Sequence, residues 1–214
     1  ELNFDYIRFP SDGNMSDIAY NFYDAKTTSK SDLMREFYSY LYEKLASTTE
    51  ARPVLSADLF GMTTTNTDDL NIGQQLERTL PYFDYIMPMV YPSHYPKNFR
   101  DLGNPDNYPY EIIKISMGAA VERTIATSTT VRTLSGMPIA STTPQLYTKK
   151  NEPRSKMRPW LQDFDYGKDY TPDDIRAQIK GANDVGLTSW VFWDAGNKYS
   201  SLRQALAKSE VVEQ

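Results

Sequence analysis

The chain of 214 residues contains no cysteine. That removes disulfides and thiolate metal sites from consideration, while leaving both reducing and oxidising compartments open. It contains a single histidine, His94. A nucleophilic triad needs a histidine held by a partner, and no partner is evident. A metal centre needs several converging ligands, and no His/Asp/Glu cluster stands at ligand spacing, so no metal and no cofactor are expected. Positive charge is also scarce: 23 Lys and Arg face 28 Asp and Glu, for a net charge of -5. Binders of phosphate backbones carry basic stripes, so nucleic acid is not an expected partner. No apolar run is long enough to span a bilayer. No Gly-rich phosphate loop is present, which argues against phosphoryl transfer and dinucleotide binding.

What the chain has in quantity is aromatic residues, with 16 Tyr, 9 Phe and 3 Trp. Most belong in a core or on an ordinary surface. Some are candidates for a cleft, because their flat apolar faces match the C–H faces of a pyranose ring. The length suffices for a single domain, residues 1–214, with a proper core.

Five segments read as buried parallel strands: 2–9, 53–60, 85–91, 158–164 and 189–193. Each is short, rich in Val, Ile, Phe and Tyr, and ends in polar or turn residues. Helical patterns lie between most of them. Ser31 can cap a helix carrying Leu33, Phe37, Leu41 and Leu45 at four-residue spacing. A second helix is predicted over 69–83, with Ile72, Leu76 and Leu80 on one face, and a third over 110–123. The fourth has Thr171 as N-cap, Pro172 at the first helical position and Asp174 closing a capping box. Its Ile175, Ile179 and Ala182 face inward, and Gly186 stops it.

Strand alternating with helix implies right-handed parallel crossovers. The expected fold class is α/β, a (β/α)8 TIM-type barrel represented by about its last five units. A natural chain rarely starts inside a buried strand, so three further strands and any targeting segment are expected upstream. The Thr/Ser-rich stretch 124–153 shows no clear period and reads as a long rim loop, within which Val131, Leu134, Ile139 and Leu146 could pack a small subdomain.

Three motifs make the resemblance specific: Phe4-Asp5-Tyr6-Ile7-Arg8-Phe9-Pro10-Ser11-Asp12-Gly13, then Pro88-Met89-Val90-Tyr91-Pro92-Ser93-His94-Tyr95, then Arg158-Pro159-Trp160-Leu161-Gln162-Asp163-Phe164. In this order, with Asn197-Lys198-Tyr199 at the end, they resemble the glycoside hydrolase domain family DUF4015, itself similar to α-amylase-like barrel hydrolases. The resemblance implies strands four to eight of a barrel and a secreted or cell-envelope setting. One departure stands out: the family usually has Asn where this chain has Asp194.

Glycosidic cleavage needs a proton donor and a second carboxylate. In a parallel barrel both sit where strands end. Glu36, Glu43, Glu77 and Glu122 fall on predicted helices, which leaves aspartates. Side-chain alternation ranks them. With Leu2, Phe4 and Tyr6 toward the helices, Asn3 and Asp5 point inward. With Leu55, Ala57 and Leu59 outward, Val54, Ser56 and Asp58 point inward. Asp5 and Asp58 are therefore the predicted catalytic pair. Neighbouring strands lie roughly 4.8 Å apart, compatible with the roughly 5 to 9.5 Å between glycosidase carboxyls. Asp5 could instead pair with Arg8, and Asp58 could simply start a turn. Arg8 either binds a carboxylate or sugar hydroxyl, or holds its loop; Asp12-Gly13 reads as a turn.

The remaining candidates are substrate-binding. Tyr91 stands at the mouth with Met87 and Met89 beneath it, and His94 lies just beyond. Trp160 and Gln162 point inward, Asp163 points outward, and Asp165 could reach back from past the strand. Trp193 is the predicted stacking platform, with Asp194 as reserve acid. The expected partner is carbohydrate. Three readings compete: a hydrolase of polysaccharide O-glycosidic bonds, a catalytically inactive carbohydrate-binding barrel module, and a scaffold barrel with no ligand.

Overall fold

The computed structural model describes residues 1–21, 23–48, 52–132 and 144–207. Seven strands run in chain order: β1 (Leu2–Phe4), β2 (Leu55–Phe60), β3 (Tyr85–Met89), β4 (Ser128–Val131), β5 (Gln145–Thr148), β6 (Trp160–Gln162) and β7 (Val191–Trp193). Five of them form one parallel sheet in the order β1-β2-β3-β6-β7, while β4 and β5 pair with each other as an antiparallel hairpin. Helices α1 (Lys30–Thr48), α2 (Leu76–Thr79), α3 (Pro109–Ile125), α4 (Pro172–Asp184) and α5 (Ser200–Leu206) follow β1, β2, β3, β6 and β7. The result is a mixed α/β fold whose parallel sheet curls into a half-barrel. On its polar face Trp160 of β6 reaches over β3 to Asp58 of β2 at 2.8 Å.

Alternation sorts the sheet as the sequence predicts. Leu55, Ala57, Leu59, Ile86 and Leu161 are completely buried on the helical side, against Tyr38, Leu76, Leu80, Ile112, Met117 and Ile175. Each buried Leu or Ile side chain contributes about 2 kcal/mol by leaving water. The opposite face carries the polar row, since the register sets Asn3 beside Ser56, Asp58 beside Met87, Met89 beside Trp160 and Gln162 beside Trp193.

The helices show where local signals hold and where they mislead. On α4 the Thr171 hydroxyl accepts from the Asp174 N–H while the Asp174 carboxylate accepts from the Thr171 N–H, a complete capping box. Gly186 ends this helix at φ +81°, a left-handed conformation that costs glycine nothing. The cap of α1 is Ser29, not Ser31: the Asp32 N–H donates to Ser29 Oγ at 3.1 Å. Met34 and Tyr38 form its buried stripe, and Phe37 is exposed. The predicted helix over 69–83 shrinks to the four residues of α2. Ile72, Leu76 and Leu80 are all buried, but Leu70, Asn71 and Gly73 have positive φ, so the chain reaches α2 through turns.

The stretch 124–153 contains the end of α3 and the β4–β5 hairpin, not structureless chain. Its described part leans on α2: Thr129 Oγ1 donates to Glu77, and Arg78 lies over the Tyr147 ring. Val131 is buried and Leu146 is 73% exposed; Leu134 and Ile139 lie outside the described residues. Among the described residues no helix is long and apolar enough to cross a membrane.

Candidate active site

The site begins where β1 stops. The β1–β2 register, continued by one residue, would set Asp5 level with Asp58, but pairing ends at Phe4 and Tyr6 has φ 57°. This left-handed turn swings the chain away, with the Tyr6 N–H donating to Asp5 Oδ1 at 2.6 Å. A buried amide takes over the lost ladder. Gln74 Nε2 donates to the carbonyls of Ile7 and Asp58, and its Oε1 accepts from the Phe60 N–H at 2.8 Å. Just past β2, Gly61 is required by close approach, because a Cβ there would sit 2.3 Å from the Met89 carbonyl oxygen.

Asp5 and Asp58 line one cavity of about 270 Å³, together with Tyr6, Arg8, Gln74 and Tyr91. Asp58 is buried and Asp5 exposed. Asp58 Oδ1 accepts from Asn3 Nδ2 at 2.9 Å and from Trp160 Nε1 at 2.8 Å. Both donors fill one oxygen and leave Oδ2 for the cavity. Burial pushes the Asp58 carboxyl above the ordinary carboxylate range; the bonds from Asn3 and Trp160 offset part of this, and the Asp5 charge pushes the same way as burial. Arg8 does not pair with Asp5. Its guanidinium lies 4.4 Å over the Tyr6 ring and donates to the Phe9 carbonyl and Ser11 Oγ, so it holds the loop while forming part of the cavity wall.

A second, larger cleft of about 630 Å³ adjoins the first through a shared wall, Tyr91 and His94. It is not where the carboxylates pair. Trp193, 44% exposed, and Tyr166, 63% exposed, form its broad apolar surfaces. His94 Nδ1 lies 2.8 Å from Ser93 Oγ, and its ring packs between Tyr91, Phe164 and Tyr166 at 5.6 to 5.7 Å. Burial pulls the imidazole below its ordinary proton affinity, against the opposing charge of Asp106.

Several residues predicted to meet substrate are engaged by the protein instead. Gln162 is completely buried and lines neither cavity: its Oε1 accepts from the Ser93 N–H and hydroxyl, and its Nε2 donates to the Phe164 carbonyl. Trp160 also lines neither, being turned onto Asp58. Asp194 borders the larger cleft, but both of its oxygens accept backbone N–H groups, from Gly196, Lys198 and Tyr199. Burial pushes this carboxyl up, and the three donors together with the Lys198 charge outweigh burial and hold it below the usual range. A carboxylate so anchored is a loop cap and a poor proton donor. Asp165 borders the same cleft while accepting from the Tyr170 N–H at 2.7 Å. Asp163, expected to point outward, borders the larger cleft and accepts from the Leu202 N–H in the first turn of α5; burial pushes its carboxyl up against that bond.

Two residues matter that the candidate set left out. Asn3 was legible as inward-facing by alternation, yet nothing in the sequence ties it to Asp58. Gln74 carried no signal, since a glutamine inside an apparent helix reads as solvated. Among the described residues no group of three His, Asp or Glu side chains could hold a metal ion.

The sequence pattern of the family described as "Putative glycosyl hydrolase domain" (DUF4015) matches residues 1–135 and 137–199. Among solved structures, the glycoside hydrolase domain of PgaB (BpsB) from Bordetella bronchiseptica is similar at a TM-score of 0.46 and 16% identity. The match covers 77% of this chain and 37% of that one, so the chain spans well under half of that structure. No curated protein matches.

Proposed function

The chain belongs to the DUF4015 family of glycosyl hydrolase domains, and on that premise we propose that it hydrolyses O-glycosidic bonds of a polysaccharide, with Asp58 as general acid and Asp5 as the second carboxylate. The observation that carries this reading is the pairing itself: two carboxyl groups at the C-terminal ends of adjacent parallel strands line one small cavity, one buried and one exposed. The environments differ in the direction the chemistry needs. A buried carboxyl beside a second one keeps its proton to higher pH and can deliver it to the leaving oxygen as the C–O bond breaks. The exposed carboxylate faces the positive charge developing on the sugar ring or takes a proton from the attacking water. The larger cleft receives neighbouring sugars, with Trp193 as platform and Tyr91, His94 and Asp165 along the walls, while Arg8 borders the smaller cavity. In the same reading the five-stranded sheet is the last part of a (β/α)8 barrel, since β1 and β7 each pair on one side only among the described residues. A polysaccharide substrate also fits a secreted or envelope setting.

The test is release of reducing ends from a panel of polysaccharides. Wild-type protein should release them from at least one, and Asp5→Asn and Asp58→Asn should not. Polysaccharide binding without turnover by the wild type would make the protein a carbohydrate-binding module and overturn the catalytic assignment.

A further inference from the structure

Between the two cavities stands a side chain that lines neither. Trp160, at the start of β6, turns its indole N–H across β3 onto Asp58 Oδ1 at 2.8 Å. Its ring is fixed from the other side by Trp193, edge-on at 90° with centroids 6.1 Å apart. An indole has one donor and no acceptor, so this contact discriminates between the two forms of Asp58. It favours a bare Oδ1 and disfavours a proton there. Asn3 Nδ2 donates to the same oxygen at 2.9 Å. Resting on the reading of Asp58 as the acid, we propose that Trp160 is a positioning residue: its N–H confines the catalytic proton to Oδ2, the oxygen left to the cavity, and limits how tightly that proton is held.

The groups that face Asp58 can be named element by element. From β1 and its end come Asn3 and the charge of Asp5; from beyond β3 comes the Tyr91 hydroxyl; from β6 comes Trp160; Tyr6, Arg8, His94 and Tyr95 are the other charged or titratable groups of the cavity wall. Burial and Asp5 strengthen the hold on the proton, and the two donors weaken it. Arg8 is committed to its own loop. Trp160 is thus one of two groups that counterbalance burial, and it joins the acid to Trp193 in the wall of the larger cleft.

The proposal is tested without substrate, by carbon-13 titration of labelled aspartate carboxyl groups, with the Asp58 signal identified by its loss in Asp58→Asn. In Trp160→Phe the Asp58 midpoint should move to higher pH, while Asp194, whose donors are backbone, keeps its own. Trp160→His, which restores an N–H, should bring the midpoint back toward wild type. A wild-type measurement covers a variant that fails to fold: the Trp160 indole N–H resonance should shift with pH at the Asp58 midpoint. An indole signal that stays flat while Asp58 titrates, or an unmoved midpoint in a folded Trp160→Phe protein, overturns the proposal. A coupled titration in a protein that cuts no polysaccharide would remove the hydrolase reading and leave the role of Trp160 standing. Where cleavage is measurable, the alkaline limb of kcat in Trp160→Phe should move up with the midpoint and KM should stay within about twofold.

Discussion

Arg123 grips Glu77 with two arms of its guanidinium group, Nε to Oε1 and Nη2 to Oε2, each at 2.7 Å, and Glu77 is completely buried. The third arm, Nη1, donates to the carbonyls of Thr63, Thr64 and Asn66 in the loop that follows β2. One side chain of α3 thereby fixes α2 and the loop directly downstream of Asp58. Breaking a buried pair on one side leaves an uncompensated charge, at a cost of about 3–5 kcal/mol. Arg123→Ala should lose stability of that order in urea denaturation; a loss under about 1 kcal/mol would show that the pair is not buried in solution.

Asp58 should weaken the fold where it serves the chemistry. Its folded proton affinity is raised, so between the unfolded and folded pKa values the native state binds more protons than the unfolded chain, and stability falls as pH rises through that window. Below the window both states are protonated and the penalty vanishes. Asp58→Asn removes the charge, so it should raise stability at neutral pH by on the order of 1 kcal/mol, with the gain shrinking as pH falls through that window and absent below the unfolded carboxylate range. Thermal melts of both proteins across pH check this, and a gain independent of pH would point to packing instead.

Gln74 replaces a strand pairing with its side chain, so Gln74→Leu should strand the Phe60 N–H and relax the carbonyls of Ile7 and Asp58. Each unsatisfied buried group costs about 1–3 kcal/mol. Amide hydrogen exchange at Phe60 should accelerate with the drop in stability. Unchanged protection at Phe60 would contradict the role assigned to Gln74.

Trp193 offers stacking area and no acid–base group. Trp193→Ala should therefore raise KM by about 3- to 10-fold, the equivalent of about 0.5–1.5 kcal/mol of aromatic contact, with a smaller effect on kcat. A fall in kcat alone would place Trp193 in the transition state and not on the binding surface.

Much of this was legible in the sequence because it follows from periodicity and capping. Alternation put Asp58, Asn3 and Trp160 on one face, and Thr171 to Asp174 announced the start of α4. The misread site residues share one cause: a side chain whose bonds go to backbone. Gln162 and Asp194 sit at strand ends like substrate ligands, yet their partners are the Ser93 and Phe164 main chain and the N–H groups of Gly196, Lys198 and Tyr199. The four-residue spacing of Ile72, Leu76 and Leu80 mimics a helix because all three are buried, whereas left-handed residues at 70, 71 and 73 break the path between them. The Thr-rich β4 has only one buried residue, Val131, and gives no two-residue pattern to read. Asp5 is half legible: its strand points it inward, and Tyr6 then turns the chain.

The most direct test is the rate of glycosidic cleavage by wild-type and Asp58→Asn proteins, compared at equal concentration on the same polysaccharide after both melt cooperatively. Losing a general acid should lower kcat by about 10²- to 10⁴-fold in a protein at least as stable as its parent. Equal rates from the two proteins would contradict the assignment of Asp58 as the acid.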